Sequence, residues 1–484
     1  MGIDQLTEAM SPRKRATRDL ADALARDRER WIVRNAYYYQ QDRRYMQFLV
    51  SEGLRVLDLG CGTGDLLAAL RPSRGVGVDF SPEMVDVARR THPNLEFVVG
   101  DVESAPTIDS LGGPFDVIVI SDTIGALDDC QAMLAQLHRV CHGETRLIIA
   151  YYSRMWEPIL RIGEMLGLKM PQTPQNWLST EDIGNLLALA DFQVIKREWR
   201  QLVPRRLLGL GALINQYVAP FAIIRRACLR NYVVARPRVM PAGNSRPSVT
   251  VLVPCRNERG NIEAAVTRTP RFCDDMEILY VEGHSSDGTR EEVERVIAAY
   301  PQYDIKLLVQ EGKGKGDAVR TGFARARGEV LMILDADLTV PPETLPRFYD
   351  ALVSGKGEFI NGTRLVYPME RQAMRFLNLL ANQAFSWLFS WLLNQRFTDT
   401  LCGTKVLSKH HYEMIVKNRI YFGDFDPFGD FDLIFGASKL NLKIVEIPIR
   451  YASRVYGETQ ISRFRHGWLL LRMVVFAFRK LKAF

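Results

Sequence analysis

No apolar run in these 484 residues approaches the roughly 20 residues that a membrane-spanning helix needs. The opening segment, MGIDQLTEAMSPRKRATRDL, lacks the apolar core of a signal peptide. Cysteine is scarce and unpatterned: there are seven, an odd number, with no close pair and no metal-ligand spacing. That excludes a disulfide scaffold and points to a reducing compartment. Short internal repeats and low-complexity tracts are also missing. The expected location is therefore cytoplasmic, and the charge pattern below adds a peripheral place on the inner face of a membrane.

What is present is a globular composition, 47% hydrophobic and 25% charged. The length calls for two to three domains. The net charge of +7 is uneven. Arg463, Arg465, Arg472, Arg479, Lys480 and Lys482 crowd the C-terminus among apolar residues, a pattern that suits an anionic membrane surface. A second basic group, Arg225, Arg226, Arg230, Arg236 and Arg238, reads as solvated surface charge. No nucleic-acid partner is expected.

Strand and helix patterns alternate twice. After a helical stretch to about residue 50, strands are expected at Val56–Leu59, Gly75–Asp79, Glu96–Val99, Phe115–Ile120 and Thr145–Tyr151. Two more follow, near Phe192–Trp199 and Asn231–Ala235. The proline-rich stretch 237–247 reads as a linker between a domain over 1–236 and another over 248–484. The alternation then restarts with strands at Thr250–Val253, Glu277–Val281, Lys306–Gln310 and Val330–Leu334. Such alternation predicts α/β architecture with two doubly wound domains.

The first chemical motif is VLDLGCGTG, Val56 to Gly64. A buried strand ends at Asp58, and Gly60, Gly62 and Gly64 form a turn whose amides can approach a ligand. A GxGxG alone serves NAD equally. Three further features discriminate. Asp58 precedes the first glycine by two and suits a cationic amino-acid end. Asp79 ends the next strand, within reach of ribose hydroxyls. Asp101, with Val102, ends the third, where a carboxylate can take an adenine amine. Together these resemble class I S-adenosylmethionine-dependent methyltransferases, a Rossmann-like fold, over roughly Arg34 to Ala235. The resemblance implies S-adenosylmethionine as cofactor, held by Asp58, Gly60, Gly62, Asp79, Phe80, Met84, Asp101 and Val102. Tyr37, Tyr38 and Tyr39 either close over the cofactor or simply pack. No motif identifies the methyl acceptor; Ser121-Asp122 marks an edge of the site.

The second constellation is ordered along the other half. Strand Thr250–Val253 runs into Pro254-Cys255-Arg256-Asn257-Glu258, where proline ends the ladder and the chain must turn. Glu282 ends the next strand, followed by Ser285-Ser286-Asp287-Gly288. Gly312-Lys313-Gly314-Lys315-Gly316-Asp317 offers amides and lysines to a diphosphate. Asp335-Ala336-Asp337 ends an apolar strand, and two such carboxylates can hold Mg²⁺ or Mn²⁺. A lone DxD is weak, but this series at successive strand ends resembles family 2 glycosyltransferases of the GT-A fold over roughly Ser248 to Tyr451.

Downstream, Asn361-Gly-Thr-Arg364, Asp399-Thr-Leu-Cys-Gly-Thr-Lys405 and Glu446-Ile-Pro-Ile-Arg-Tyr451, with Arg454 and Gly457 beyond, resemble the dolichyl-phosphate mannose and glucose synthases. Glu282-Gly283 stands where that family has Asp-Asp, and Thr339 where relatives often have Gln. The resemblance implies a nucleotide-sugar site at Pro254, Asn257, Glu258, Glu282, Asp287, Lys315, Asp317 and Asp335, with a metal on Asp335 and Asp337. It also implies a polyprenyl phosphate acceptor, clamped by Arg364 and Arg454.

Two readings of the membrane stretch stay open. From Gln372 to Gln395, Asn378, Asn382, Ser386, Ser390 and Asn394 recur every four residues amid leucine, phenylalanine, Trp387 and Trp391. This suits an interfacial helix, or alternatively a helix in a core. Trp468 to Phe484 reads as a second surface anchor. The acidic run Asp424, Asp426, Asp430 and Asp432 either supplies a general base or shapes the site and caps the following helix.

The expected whole is a bifunctional enzyme: inverting transfer of a hexose from a nucleotide sugar to a polyprenyl phosphate, and methylation of an unidentified acceptor. The catalytic set is Asp337, Arg364 and Arg454, with Asp430 and Asp432. The competing reading is a glycan-forming transferase acting on a sugar hydroxyl, with the N-terminal half a docking module.

Overall fold

A computed structural model of the chain describes residues 10–238, 246–364, 376–421, 431–452, 454, 456 and 463–483, with backbone alone for 376–383, 420 and 463–467. The chain divides into two compact units, Met1–Val239 and Met240–Lys482.

The first unit holds seven strands: β1 (Arg55–Leu59), β2 (Arg74–Asp79), β3 (Glu96–Val99), β4 (Phe115–Ser121), β5 (Cys141–Tyr152), β6 (Phe192–Arg200) and β7 (Arg230–Pro237). Their order in the sheet is β3-β2-β1-β4-β5-β7-β6. Strands β1 to β5 run parallel, while β7 is antiparallel to both β5 and β6. The central strands are near-continuous apolar runs because helices cover both faces. Val56 and Leu57 in β1, and Ile118, Val119 and Ile120 in β4, are fully buried.

The second unit repeats the plan with β8 (Val249–Cys255), β9 (Met276–Glu282), β10 (Asp304–Val309), β11 (Val330–Ile333), β12 (Phe359–Thr363), β13 (Lys405–Ser408) and β14 (Ile444–Pro448). The order is β10-β9-β8-β11-β13-β12-β14, and β13 is antiparallel to its neighbours.

The eleven expected strands are all present, with ends shifted by a few residues. β5 begins at Cys141 rather than Thr145, and β7 runs on through Pro237, into the stretch read as a linker. β12, β13 and β14 are additions that propensity could not announce. Their sequences, FINGT, KVLS and IVEIP, are short, and β12 carries a glycine that weakens an isolated strand. Pairing within the sheet secures them.

Both sheets reverse their winding between neighbours: at β1 and β4 in the first unit, at β8 and β11 in the second. Helices leave opposite faces there, and a crevice opens beyond the strand C-termini. Register brings the chemistry to that edge. Asp58 lies opposite Gly77 and Val119, and Asp79 opposite Val99. In the second sheet Cys255 lies opposite Glu282.

Candidate functional sites

Beyond the C-terminal ends of β1, β2 and β3 lies a cavity of about 520 Å³. Gly60, Gly62, Asp79, Phe80, Met84, Asp101 and Val102 all line it. Gly60 and Gly62 have φ of +82° and +53°, a left-handed turn that other residues rarely adopt. A Cβ on Gly60 would also collide with Thr123. Asp79 shapes this turn: its carboxylate accepts from Gly62 N–H at 2.8 Å and Ser81 N–H at 3.0 Å.

Asp58, two residues before Gly60, is 1% exposed, and neither of its carboxylate oxygens has a hydrogen-bond partner among the described residues. Burial, with repulsion from Asp79, pushes its pKa up to about 7. A buried carboxylate without a partner is costly. The Arg28 side chain stands 3.2 Å from the position a Gly62 Cβ would take, and its Nε is also buried without a partner. Arg28 lines the cavity, whereas Asp58 lies behind the glycine turn and is not among the lining residues.

Helix Pro12–Leu24 closes this cavity. Ser11 caps it, accepting from Lys14 N–H, and Pro12 opens its first turn. Lys14 then reaches Asp101 and Glu103, each at 2.6 Å. Burial opposes charge on Lys14, yet these two carboxylates hold its pKa above the usual lysine value. Asp101 thus lies on the cavity wall and is ion-paired with Lys14.

Tyr38 and Tyr39 line the cavity as well, whereas the Tyr37 hydroxyl accepts from Asn215 at 3.0 Å. On the far wall Asp122 has a left-handed backbone, φ +64°. The fully buried Arg230 holds it by a short ion pair and also donates to Asp42 at 3.0 Å and Ser121 at 2.9 Å. Arg230 and Arg236, expected as solvated surface charge, are instead 1% and 2% exposed within β7. The roles of Lys14, Arg28 and Asp42 escape sequence reading, because each stands in a charged helical stretch and tertiary packing alone brings it to the site. Only the Ser11-Pro12 helix start hints at an ordered N-terminal helix.

In the second unit the carboxylates at the strand ends face cations. Lys315, at the start of helix Lys315–Arg325, lies 2.7 Å from Asp335. Burial works to raise the Asp335 pKa, but Lys315, Lys405 and Arg364 outweigh it and hold the carboxyl below its ordinary range. Arg454 bridges two acids, 3.2 Å from Glu258 and 2.9 Å from Asp337. Burial raises the Glu258 pKa, which Arg454 only partly offsets. The Thr339 hydroxyl donates to Asp337 at 2.8 Å. Among the described residues no group of three or more His, Cys, Asp or Glu is arranged to hold a metal. Asp335 and Asp337 are a two-carboxylate set, the kind that hard divalent cations accept when a diphosphate completes the shell.

Several expected contacts shape loops. Asn257, at φ +56°, accepts from Ser286 N–H on its side-chain oxygen and donates its own N–H to the Ser285 hydroxyl oxygen. Glu282 accepts from Ser285 N–H at 2.5 Å. Asp287 takes Arg259 and Thr289 N–H groups, and Asp317 takes Gly312 N–H at 2.9 Å. These acids fix the crevice walls. Pro254 lies within β8 rather than ending it; the strand runs through Cys255.

Residues 50–200 match a family model described as a methyltransferase domain, and residues 250–418 match glycosyl transferase family 2. The chain carries a methyltransferase domain and a family 2 glycosyltransferase domain. The chain is 35% identical over 109 residues to a dolichol-phosphate mannosyltransferase of Saccharomyces cerevisiae, covering 21% of this chain and 40% of that one. It is 29% identical over 218 residues to a dolichol-phosphate mannosyltransferase of Pyrococcus furiosus, covering 44% of this chain and 59% of that one. The chain thus spans about half the length of these curated relatives. Among solved structures, magnesium protoporphyrin IX methyltransferase of Synechocystis with bound S-adenosylhomocysteine aligns with a TM-score of 0.34 and 20% identity, over 46% of this chain and 99% of that one.

The remaining glycosyltransferase residues fall in two groups. Arg364 forms a bidentate pair with the buried Asp399, at 2.6 and 2.7 Å, and lies 5.1 Å from the Tyr451 ring centre. Asp432 accepts from Arg419 at 2.8 Å near the start of helix Phe431–Lys439. Asp424, Asp426, Asp430 and Gly457 lie outside the described residues.

The expected polar stripe is partly internal. In helix Phe376–Leu393, Ser386 and Ser390 each donate to the Phe397 carbonyl at 2.9 Å. Trp391 stacks on Phe478, with centroids 5.7 Å apart, while Trp387 is 63% exposed. In the C-terminal helix Arg463–Leu481, Trp468, Leu471 and Val475 are exposed at helical spacing. No helix of the described residues is long and apolar enough to cross a membrane.

Proposed function

We propose that the glycosyltransferase domain moves a hexose, with inversion, from a nucleotide sugar to a polyprenyl phosphate at a membrane surface, and that the methyltransferase domain methylates a second acceptor. The observation that carries the first half is the ring of alternating charge beyond β8 and β11: Lys315 on Asp335, and Arg454 between Asp337 and Glu258. Asp335 and Asp337 would hold Mg²⁺ or Mn²⁺, whose charge neutralises the departing nucleoside diphosphate. Lys315 adds a fixed positive charge on the diphosphate side. Arg454 turns from Asp337 to the acceptor phosphate, for which guanidinium geometry is suited. A phosphate monoester, with its second pKa at about 6, is largely dianionic at neutral pH and needs no general base.

That last point favours a phosphate over a sugar hydroxyl as acceptor. Asp432 is ion-paired with Arg419 at 2.8 Å. Trp387, Trp468, Leu471 and Val475 supply an exposed apolar surface for a lipid-bearing substrate. The relatives' names point the same way.

In the methyltransferase domain the unpaired Asp58 carboxylate takes the ammonium of S-adenosylmethionine, and Asp79 faces its ribose. The chemistry on offer there is methyl donation from a sulfonium. Lys14 and helix Pro12–Leu24 keep water out. The test is mass spectrometry of products formed from a panel of nucleotide sugars with polyprenyl phosphate and Mg²⁺ or Mn²⁺. Formation of polyprenyl-phosphate hexose supports the reading; a free or protein-bound oligosaccharide with no lipid product refutes it.

A further inference from the structure

The methyltransferase domain exposes an apolar collar around the mouth of its cavity. Helix Glu157–Met165 buries none of its residues. Ile159 and Ile162 in this helix, with Met155 in the turn before it and Leu166 at its C-terminal cap, recur at helical spacing, and all are exposed. Ile159, Ile162 and Leu166 also line the cavity, so its wall and the exposed face are one surface.

Across the mouth lies the segment from Pro204 to Ile224. Pro204 and Arg205 line the cavity. Beyond them Leu207, Leu208, Leu210, Leu213, Phe221 and Ile223 are exposed, Ile223 at 93% and Leu208 completely. Leu207 and Leu208 both have left-handed backbones, φ +43° and +56°, which branched residues rarely adopt. A strained loop that presents two leucines outward gains nothing from water.

A patch of this extent marks an interaction surface rather than ordinary exposed side chains. Its charge selects the partner. Between Glu198 and Glu258 the sequence has no aspartate or glutamate, while Arg205, Arg206, Arg225 and Arg226 flank the leucines. On the other wall Glu157 and Glu164 are paired with Arg161 and Lys169. The acid-free leucine segment, flanked by arginine, complements an anionic bilayer, where leucines enter the acyl boundary and guanidiniums meet phosphates.

We propose that this collar seats the methyltransferase domain on an anionic membrane, so that its cavity opens onto the lipid surface and its methyl acceptor is a lipid-borne molecule. The proposal rests on the reading of this domain as a methyltransferase, and adds the class of its acceptor. A lipid-borne acceptor passes between Ile162 and Arg205 to the wall at Asp122, with its tail remaining in the bilayer.

The test uses the full chain with vesicles of phosphatidylglycerol and phosphatidylcholine. Hydrogen exchange is followed in peptides spanning 155–168 and 205–224, and separately 468–475. Exchange in the first two is expected to slow several-fold on vesicles and to recover in the double variant Leu208→Asp, Ile223→Asp. Neither residue lines the cavity, so calorimetry should give that variant the parent's S-adenosylmethionine affinity. With tritium-methyl S-adenosylmethionine and a total membrane lipid extract, label is expected in the chloroform phase, and much less of it with the variant.

Protection confined to 468–475 would overturn the proposal while leaving the glycosyltransferase reading intact. Protection of the collar without vesicles, rising with protein concentration, would mean that a second copy of the chain covers it. Label that enters only water-soluble product would also overturn it. Absence of any heat from S-adenosylmethionine would remove the methyltransferase reading, and with it this acceptor, whatever the vesicles do.

Discussion

The guanidinium of Arg454 lies between two carboxylates, with Nη1 3.2 Å from Glu258 and Nη2 2.9 Å from Asp337. A divalent cation on Asp337 must compete with it. Arg454→Gln should therefore tighten Mn²⁺ binding in the absence of donor by about tenfold, near 1.4 kcal/mol. The same change should cut hexose transfer by about one to two orders of magnitude, because the proposed acceptor phosphate loses a charged partner of about 1.5–3 kcal/mol. Mn²⁺ titration followed by electron paramagnetic resonance, beside a transfer assay, checks both. Weaker metal binding in the variant would show that Arg454 supports the metal rather than opposing it.

Asp58 titrates near neutrality because it is buried and faces Asp79, with a pKa of about 7. Only its ionised form attracts an ammonium. S-adenosylmethionine affinity should therefore rise about tenfold from pH 6 to pH 8, as expected for one carboxyl titrating between them, and Asp58→Asn should flatten that profile. The stability effect has the opposite sense. A carboxyl whose folded pKa, about 7 here, lies above its unfolded value of about 4 weakens the fold progressively as pH rises from about 4 to about 7. Asp58→Asn should raise the Tm of the ligand-free protein at pH 8 and leave it unchanged at pH 4. A steep affinity profile that survives in Asp58→Asn would assign the titration elsewhere.

Asp79 accepts two backbone N–H groups that fix the glycine turn. Asp79→Ala removes both these bonds and an acceptor for the ribose. A loss of about 1.5–3 kcal/mol in S-adenosylmethionine affinity is expected from calorimetry. Unchanged affinity, or tighter binding of NAD, would remove the cofactor assignment.

Asp337→Asn should abolish hexose transfer while leaving methylation unaltered, since the two sites belong to separate compact units. Asp432→Asn should cost far less, because its carboxylate serves Arg419 and a phosphate acceptor is already ionised. The comparison is made with polyprenyl phosphate and saturating Mg²⁺ or Mn²⁺. An Asp432→Asn protein that is folded yet as inactive as Asp337→Asn would point to a general base and hence to a hydroxyl acceptor.

Trp387 and Trp391 should part company in membrane binding. Trp387 is 63% exposed, whereas Trp391 stacks on Phe478. Trp387→Glu should weaken flotation with anionic liposomes without lowering Tm. Trp391→Glu should lower Tm, because a charge would enter an aromatic contact. Flotation unaffected by Trp387→Glu would place this helix away from the lipid.

The alternation of apolar strands and helices in the sequence by itself determined the two doubly wound units, because parallel strands buried on both faces must be continuously apolar. Glycines at Gly60 and Gly62 and acids at strand ends also declared themselves, since each rule there is local: a left-handed turn, a strand that stops, a carboxylate next in line. β12, β13 and β14 were illegible because short strands are secured by their neighbours. Only tertiary structure decided which cations face those acids. Lys14 reaches Asp101 across 87 residues of chain, and Arg454 reaches Asp337 across 117. It also decided that Asp58 is without a partner and that Ser386 and Ser390 turn inward to Phe397. Sequence spacing sets which residues share a strand or a helix face; the partner that each charge meets depends on long-range packing, which no local pattern encodes.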